Sequence, residues 1–186
     1  MGKLTVFNFM TLDGYFQGLD GDISWHRHGQ EESQFASDSM KPGGTLVFGR
    51  KTYEMMACYW PTPMAIETMP DVAAGMNNAQ KIVFSKTLDE AGWQNTRLIK
   101  RDMIDEMKRL KWEQPGDMTI LGSGSLVTQF AEAGLVDEFG FMIDPVAIGG
   151  GSPVFANVKH KLDLELIDSR TFKSGTVLLT YAPLKK

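Results

Sequence analysis

The sequence predicts an α/β fold, a largely parallel central sheet with an antiparallel hairpin edge at its C-terminal side. Two observations carry this. Through residue 133, short continuous apolar, β-branched runs alternate with segments whose apolar residues recur every three or four positions. After that the helical period stops, and two strand-like stretches flank a Lys-Ser-Gly turn.

The strands come first from residue type. Leu4–Phe9 (LTVFNF), Thr45–Phe48 (TLVF), Lys81–Ser85 (KIVFS), Arg97–Lys100 (RLIK) and Met118–Leu121 (MTIL) are rich in β-branched and aromatic residues. They are continuous rather than alternating, as expected of strands covered on both faces. Helices are predicted over Arg50–Tyr59, Met103–Trp112 and Ser125–Ala133. In the second, Ile104, Met107, Leu110 and Lys111 share one side. Gly134 stands where a C-terminal cap belongs. Glu138–Ile143 reads as a strand, and Leu162–Phe172 with Thr176–Tyr181 form the closing hairpin about Lys173-Ser174-Gly175.

Composition narrows the function. At 186 residues the chain suits one domain, 1–186, with a core that needs no covalent staple. One cysteine, Cys58, excludes an internal disulfide and multi-cysteine metal centres, and reads as a small buried residue. A net charge of −4 argues against nucleic-acid binding, and no apolar run approaches the length of a bilayer span. The expectation is a soluble, cytoplasmic protein that handles a small molecule. His26-Arg27-His28 offers alternate histidines without a third ligand and reads as a solvated loop, so no metal site is expected.

In an open α/β sheet, ligands bind beyond the carboxyl ends of the strands. Three segments in that position share a composition: Gly49-Arg50-Lys51-Thr52, Ser85-Lys86-Thr87 and Gly122-Ser123-Gly124-Ser125. Small or hydroxylated residues at a helix start present backbone N–H groups and a positive dipole end to phosphate. Arg50 can fork to a phosphate, and Lys51 and Lys86 add point charges. Three such loops on one sheet edge suit a dinucleotide, and the cations with Ser85 suit the 2′-phosphate of NADP. No P-loop and no nucleophile elbow are present. The loop after the first strand, Leu12-Asp13-Gly14-Tyr15-Phe16, with Trp25 beyond it, could cover a flat ring.

These segments in this order (LDGYF, Ile23-Ser24-Trp25, LVFGRKTYE, KIVFSKTL and ILGSGSLVTQFAEAGLVDEF) resemble the dihydrofolate-reductase-like superfamily. The stretch from Ile143 to Phe155, with Gly149-Gly150-Gly151, is similar to the reductase half of the bifunctional riboflavin-biosynthesis deaminase–reductase. The resemblance implies the superfamily's three-layer fold, NADPH as cofactor and a homodimer. It implies that Gly49, Arg50, Lys51 and Thr52 grip the cofactor's phosphates, and that Ser85 and Lys86 hold its 2′-phosphate. Gly122, Ser123, Gly124, Ser125 and Leu126 would lie beneath pyrophosphate and nicotinamide, and Asp13, Gly14, Tyr15 and Trp25 would border nicotinamide and substrate. The chain also departs from a dihydrofolate reductase. Gln30 stands where the pterin-protonating acid is expected, with Glu31 one step on, and Tyr59–Thr68 lacks the arginine that clasps folate.

Taken together, the expectation is an NADPH-dependent reductase. It would pass a hydride to a C=N or C=O of a small pterin- or pyrimidine-like substrate, with Asp13 or Glu31 supplying or relaying the proton. The departures motivate a rival: a nucleotide-binding module that holds NADP(H) without turnover.

Overall fold

The computed structural model describes residues 1–27, 29–39, 43–114 and 116–184. In chain order the elements are β1 (Leu4–Thr11), β2 (Tyr15–Gln17), α1 (Gln30–Ser39), β3 (Thr45–Gly49), α2 (Arg50–Tyr59), α3 (Pro63–Thr68) and α4 (Pro70–Asn78). Then come β4 (Gln80–Phe84), β5 (Thr96–Ile99), α5 (Met103–Glu113), β6 (Met118–Leu121) and α6 (Gly124–Glu132). The chain closes with β7 (Glu138–Asp144), β8 (Ser152–Pro153), β9 (Leu164–Thr171) and β10 (Val177–Pro183). The main sheet runs β5-β4-β3-β6-β1-β7-β10-β9. It is parallel from β5 to β7, and β10 and β9 add the antiparallel edge.

The residues explain the layers. In β3 four consecutive side chains, Thr45 to Phe48, are buried, because helices cover both faces of the central sheet. One face packs Val6, Ile120 and Phe139 against α5 and α6. The other packs Leu46, Phe48 and Val83 against α2 and α4. Toward the antiparallel edge, α1 covers the second face through Phe35, which meets Phe7 and Phe172. The helix after β6 therefore lies on one face and those after its neighbours β3 and β1 on the other. The crevices flanking β6 are topological switch points, where open sheets bind ligands.

Local chemistry sets the boundaries. Asp102 caps α5 by accepting the N–H groups of Ile104 and Asp105, and Thr62 caps α3. Lys111 is buried on the apolar side of α5, its ammonium donating to Leu135 O at 2.6 Å and Asp137 Oδ2 at 2.5 Å. Gly134 closes α6 at φ +65 and Gly175 turns the hairpin at φ +89, as expected of those glycines. Two expectations are corrected. Cys58 is exposed, because it falls on the solvent side of α2. The His26 side chain is buried rather than solvated, for the reason given below; His28 lies outside the described residues.

Candidate active site

Two helices start at the switch point, and neither has a side-chain cap. Gly49 precedes α2 and Ser123 precedes α6, and no side chain bonds to their first N–H groups. Those amides have no partner inside the helix, which leaves them for an anion. One hydroxyl locks the two starts together. Ser123 Oγ accepts the Gly49 N–H at 2.8 Å and lies 3.0 Å from Thr52 Oγ1. To reach them Ser123 adopts a left-handed backbone, φ 57 and ψ 65. Glycine is required at both neighbours. A Cβ on Gly124 would stand 2.9 Å from the Phe16 ring, and Gly122, at φ +62, would press one onto Thr52 at 3.1 Å. Leu126 points from the first turn of α6 into the core.

The third loop follows β4. Ser85 Oγ accepts the N–H groups of Thr87 and Leu88, and the Ser85 N–H donates to Ile99 O at 3.1 Å, placing this loop beside the end of β5. There a depression is lined by Arg97, Ile99, Lys100 and Arg101. Lys100 and Arg101 are exposed, as are Arg50, Lys51 and Lys86, so five cations rim the carboxyl ends of β3, β4 and β5. Lys100 and Arg101 stand outside the set expected to face phosphate, although their place directly after an apolar strand is the same signal. Arg50 pairs with Glu54 one turn on, both oxygens lying 3.2–3.3 Å from Nη1. That pair is exposed and weak enough to yield to a phosphate.

On the α1 face the same sheet edge is aromatic. Phe7 and Phe9 of β1 and Phe35 of α1 are half-buried, with Phe7 lying 5.3 Å from Phe9 and 6.0 Å from Phe35 between ring centres. His26 stacks on Phe9 at 3.7 Å, with Trp25 edge-on at 6.2 Å. Its Nδ1 lies 2.6 Å from Oδ2 of Asp144, the fully buried last residue of β7. The Thr176 hydroxyl and the Arg27 N–H donate to the other oxygen, each at 3.2 Å. A carboxylate fixed by three groups holds the imidazole in one orientation, which is why His26 is not a solvated loop residue. Its partner stands 118 positions away, so no local spacing reveals it.

The two carboxylates expected to handle the proton are engaged with different parts of the chain. Asp13 accepts the N–H groups of Ile148 and Gly149. The Thr11 hydroxyl, then the Gly149 amide, hold its carboxyl below the ordinary range. Glu31 pairs with the Lys173 ammonium at 2.9 Å and accepts the Lys173 N–H, and this contact lowers its carboxyl too. The buried carboxylate of α1 is the next residue, Glu32, which accepts the Ser174 hydroxyl. Gly14 turns the chain at φ +90 after β1, and the Tyr15 N–H donates to Thr11 Oγ1, which aims β2 at β8. Trp25 Nε1 donates to Asp22 O.

This combination is a dihydrofolate-reductase-like fold: an eight-stranded mixed sheet with helices on both faces and two uncapped helix starts at the switch point. A family model described as the RibD C-terminal domain matches residues 2–178, and the chain belongs to that family. It is 32% identical over 172 residues to the uncharacterized protein YyaP of Bacillus subtilis (strain 168), covering 92% of this chain and 90% of that one. Among solved structures it superposes on a protein assigned to riboflavin biosynthesis from Shewanella sp. PV-4 with a TM-score of 0.76 at 22% identity, covering 98% and 99% of the two chains. It also superposes on the Enterococcus faecalis dihydrofolate reductase complexed with NADP(H), with a TM-score of 0.69 at 18% identity, covering 99% and 98%. No helix among the described residues is long and apolar enough to cross a membrane.

Proposed function

We propose that the protein is an NADPH-dependent reductase of small heterocycles, of the kind used in riboflavin- or folate-type metabolism in the cytoplasm. The observation that carries this is the pair of uncapped helix starts locked by Ser123 and rimmed by five cations. The residues fit a dinucleotide. Glycines 122 and 124 leave the backbone bare where a pyrophosphate would approach, with Gly49, Thr52, Ser125 and Leu126 forming the two first turns. Arg50, Lys51, Ser85 and Lys86, joined by Lys100 and Arg101, would hold the 2′-phosphate end.

NADPH, when bound, supplies a hydride from its nicotinamide C4. The chain's part is to stack and orient the accepting ring, with Phe7, Phe9, Phe35 and Trp25 as its walls and Gly14 and Tyr15 shaping the loop above. A proton must reach the ring as the hydride does. Asp13 and Glu31 are ionised at neutral pH, so either would relay a proton from water. His26, oriented by Asp144, stacks on Phe9 at the same edge. In β9, Leu166 and Ile167 are exposed on an unpaired edge, where a second copy would pair as a homodimer.

The test is titration of the protein with NADPH, read by tryptophan fluorescence, followed by NADPH oxidation with reduced pterins and ribosylaminopyrimidines. Binding in the micromolar range is expected, weakened at least tenfold by Arg50→Ala, with little change in melting temperature because the lost Glu54 pair is worth under about 1 kcal/mol. Absence of binding at micromolar concentrations refutes the reading. Gln30, standing where an acid is expected, favours a second reading, a module that holds NADP(H) without turnover. It predicts thermal stabilisation by both NADP⁺ and NADPH, with no oxidation across the panel.

A further inference from the structure

One turn along α2 from Arg50, an open groove of about 700 Å³ runs between that helix and the segments that enter β4 and β5. Tyr53, Glu54 and Ala57 line it from α2, at the three- and four-residue spacings from Arg50 that share one side of a helix. Facing them are Asn77, just before β4, and Gly92 and Trp93, just before β5. The groove therefore opens toward the amino ends of those strands, away from the phosphate-facing loops. Small residues leave it unfilled: Ala57 stands on one wall, and a Cβ on Gly92 would meet nothing within 4 Å on the other. Two groups in the lining are open to a ligand. Tyr53 is 3% exposed and its oxygen accepts the Trp93 N–H at 2.9 Å, while its own hydroxyl proton meets no acceptor among the described residues. Buried polar groups rarely leave a donor unspent. Glu54 is the one charged side chain of the lining, and its carboxylate is held only by the exposed pair with Arg50.

We propose that this groove is a second ligand site, for a small aromatic ring bearing a planar amidine-type cation and an oxygen acceptor, coupled to the dinucleotide site through Glu54. The site stands on the groove itself; the coupling rests on the reductase reading above. The lining sets the chemistry. A carboxylate accepts two parallel N–H groups from one planar cation, and the unspent Tyr53 proton asks for an oxygen. Trp93 and Ala57 give the ring an apolar bed. The Lys81 ammonium lies 4.4 Å from the centre of the Trp93 ring and repels a second cation there, so the ring lies toward Trp93 and the amidine toward Glu54. Glu54 serves one forked cation at a time. A ligand that takes it releases Arg50 to a phosphate, and a phosphate that takes Arg50 releases Glu54 to the ligand. Each ligand therefore tightens the other by the same factor.

The probes are 4-hydroxybenzamidine and its neutral counterpart 4-hydroxybenzamide, titrated into the full chain without NADPH. The reporter is the Trp93 indole N–H, which donates to Asn77 Oδ1 at 2.8 Å in the groove wall, followed in ¹⁵N-correlated spectra. The amidine is expected to bind in roughly the millimolar range and move that resonance, and the amide to bind at least about fivefold more weakly. Glu54→Gln, and Cys58→Trp at the exposed lip of the groove, are each expected to weaken the amidine at least about fivefold. A Trp93 resonance unmoved at millimolar probe, equal binding of the amide, or undiminished binding in either variant overturns the site. The wild-type comparison of the two probes decides should a variant fail to fold. Saturating NADPH is then expected to tighten the amidine about two- to fivefold, the range of an exposed ion pair, and the amidine to tighten NADPH equally. Glu54→Gln and Arg50→Ala should each abolish that linkage. Affinities indifferent to the other ligand overturn the coupling. A wild type that binds the amidine and not NADPH refutes the reductase reading, and the coupling with it, while the site stands.

Discussion

Replacing Ser123 tests whether the two helix starts form one unit. The hydroxyl is buried, accepts the Gly49 N–H at 2.8 Å and bonds Thr52 Oγ1 at 3.0 Å. Ser123→Ala leaves that N–H unpaired, and an unmet buried donor costs about 1–3 kcal/mol; the Thr52 hydroxyl can rotate and loses less. A total near 2 kcal/mol corresponds to a fall of roughly 4–8 °C in melting temperature for a chain of this size. Ser123→Gly loses the same bonds but relieves the left-handed backbone at φ 57, a strain of about 1–2 kcal/mol for an L-residue. The expected order is therefore wild type, then Ser123→Gly, then Ser123→Ala. Denaturant unfolding of these proteins, with Thr52→Val and the double variant, is the assay; the shared bond predicts a coupling of at least about 0.5 kcal/mol. Wild-type stability in Ser123→Ala, or Ser123→Gly less stable than Ser123→Ala, would refute the lock.

Three further outcomes follow from the same geometry. Gly151→Ala would place a Cβ 2.2 Å from Gln17 O at φ +153, so β2 must part from β8; a loss of about 2 kcal/mol or more and new protease sensitivity near residue 17 are expected. Asp144→Asn exchanges the oxygen facing His26 or the one facing Thr176 and the Arg27 N–H for an NH₂ group; urea unfolding should show a loss of about 3 kcal/mol, and a loss below about 1 kcal/mol counts against the network. Burial lowers Lys81 from 10.5 to about 8. Below pH 8 both folded and unfolded chains carry the charge. Between pH 8 and 10.5 the folded chain releases its proton first, so stability rises with pH, by at most about 3 kcal/mol. The carbonyls of Asn77, Ala79 and Gln94 and the Trp93 ring favour the cation, so the rise should fall short of that bound. Lys81→Met should flatten it, and a flat wild-type curve refutes the account.

What could be read in the sequence was what a local pattern encodes. TLVF and KIVF announce parallel central strands because both of their faces are covered, and the three phosphate-competent loops follow such strands directly. The helix α1 announces nothing: QEESQFASDS buries only Glu32, and it is held by Phe35 and by contacts to the distant β9–β10 hairpin. The helices α3 and α4 each open on a proline, Pro63 and Pro70, and Thr62 caps the first, a start signal that could have been read. His26 with Asp144 could not, because the pair is defined across the sheet.

The distribution of buried polar groups argues for where the chemistry sits. Toward the amino ends of the parallel strands such groups are structural and satisfied. Lys81 is held by three carbonyls, and Lys111 by Leu135 and Asp137. At the carboxyl ends lie Asp144, spent on orienting an imidazole, and Ser123, held in a left-handed turn to join two helix starts. A sheet selected for stability alone would fill those places with Val or Ile, as it does one turn below at Val6 and Ile120. The strained and polar positions of the carboxyl edge thus lie where the proposed site does.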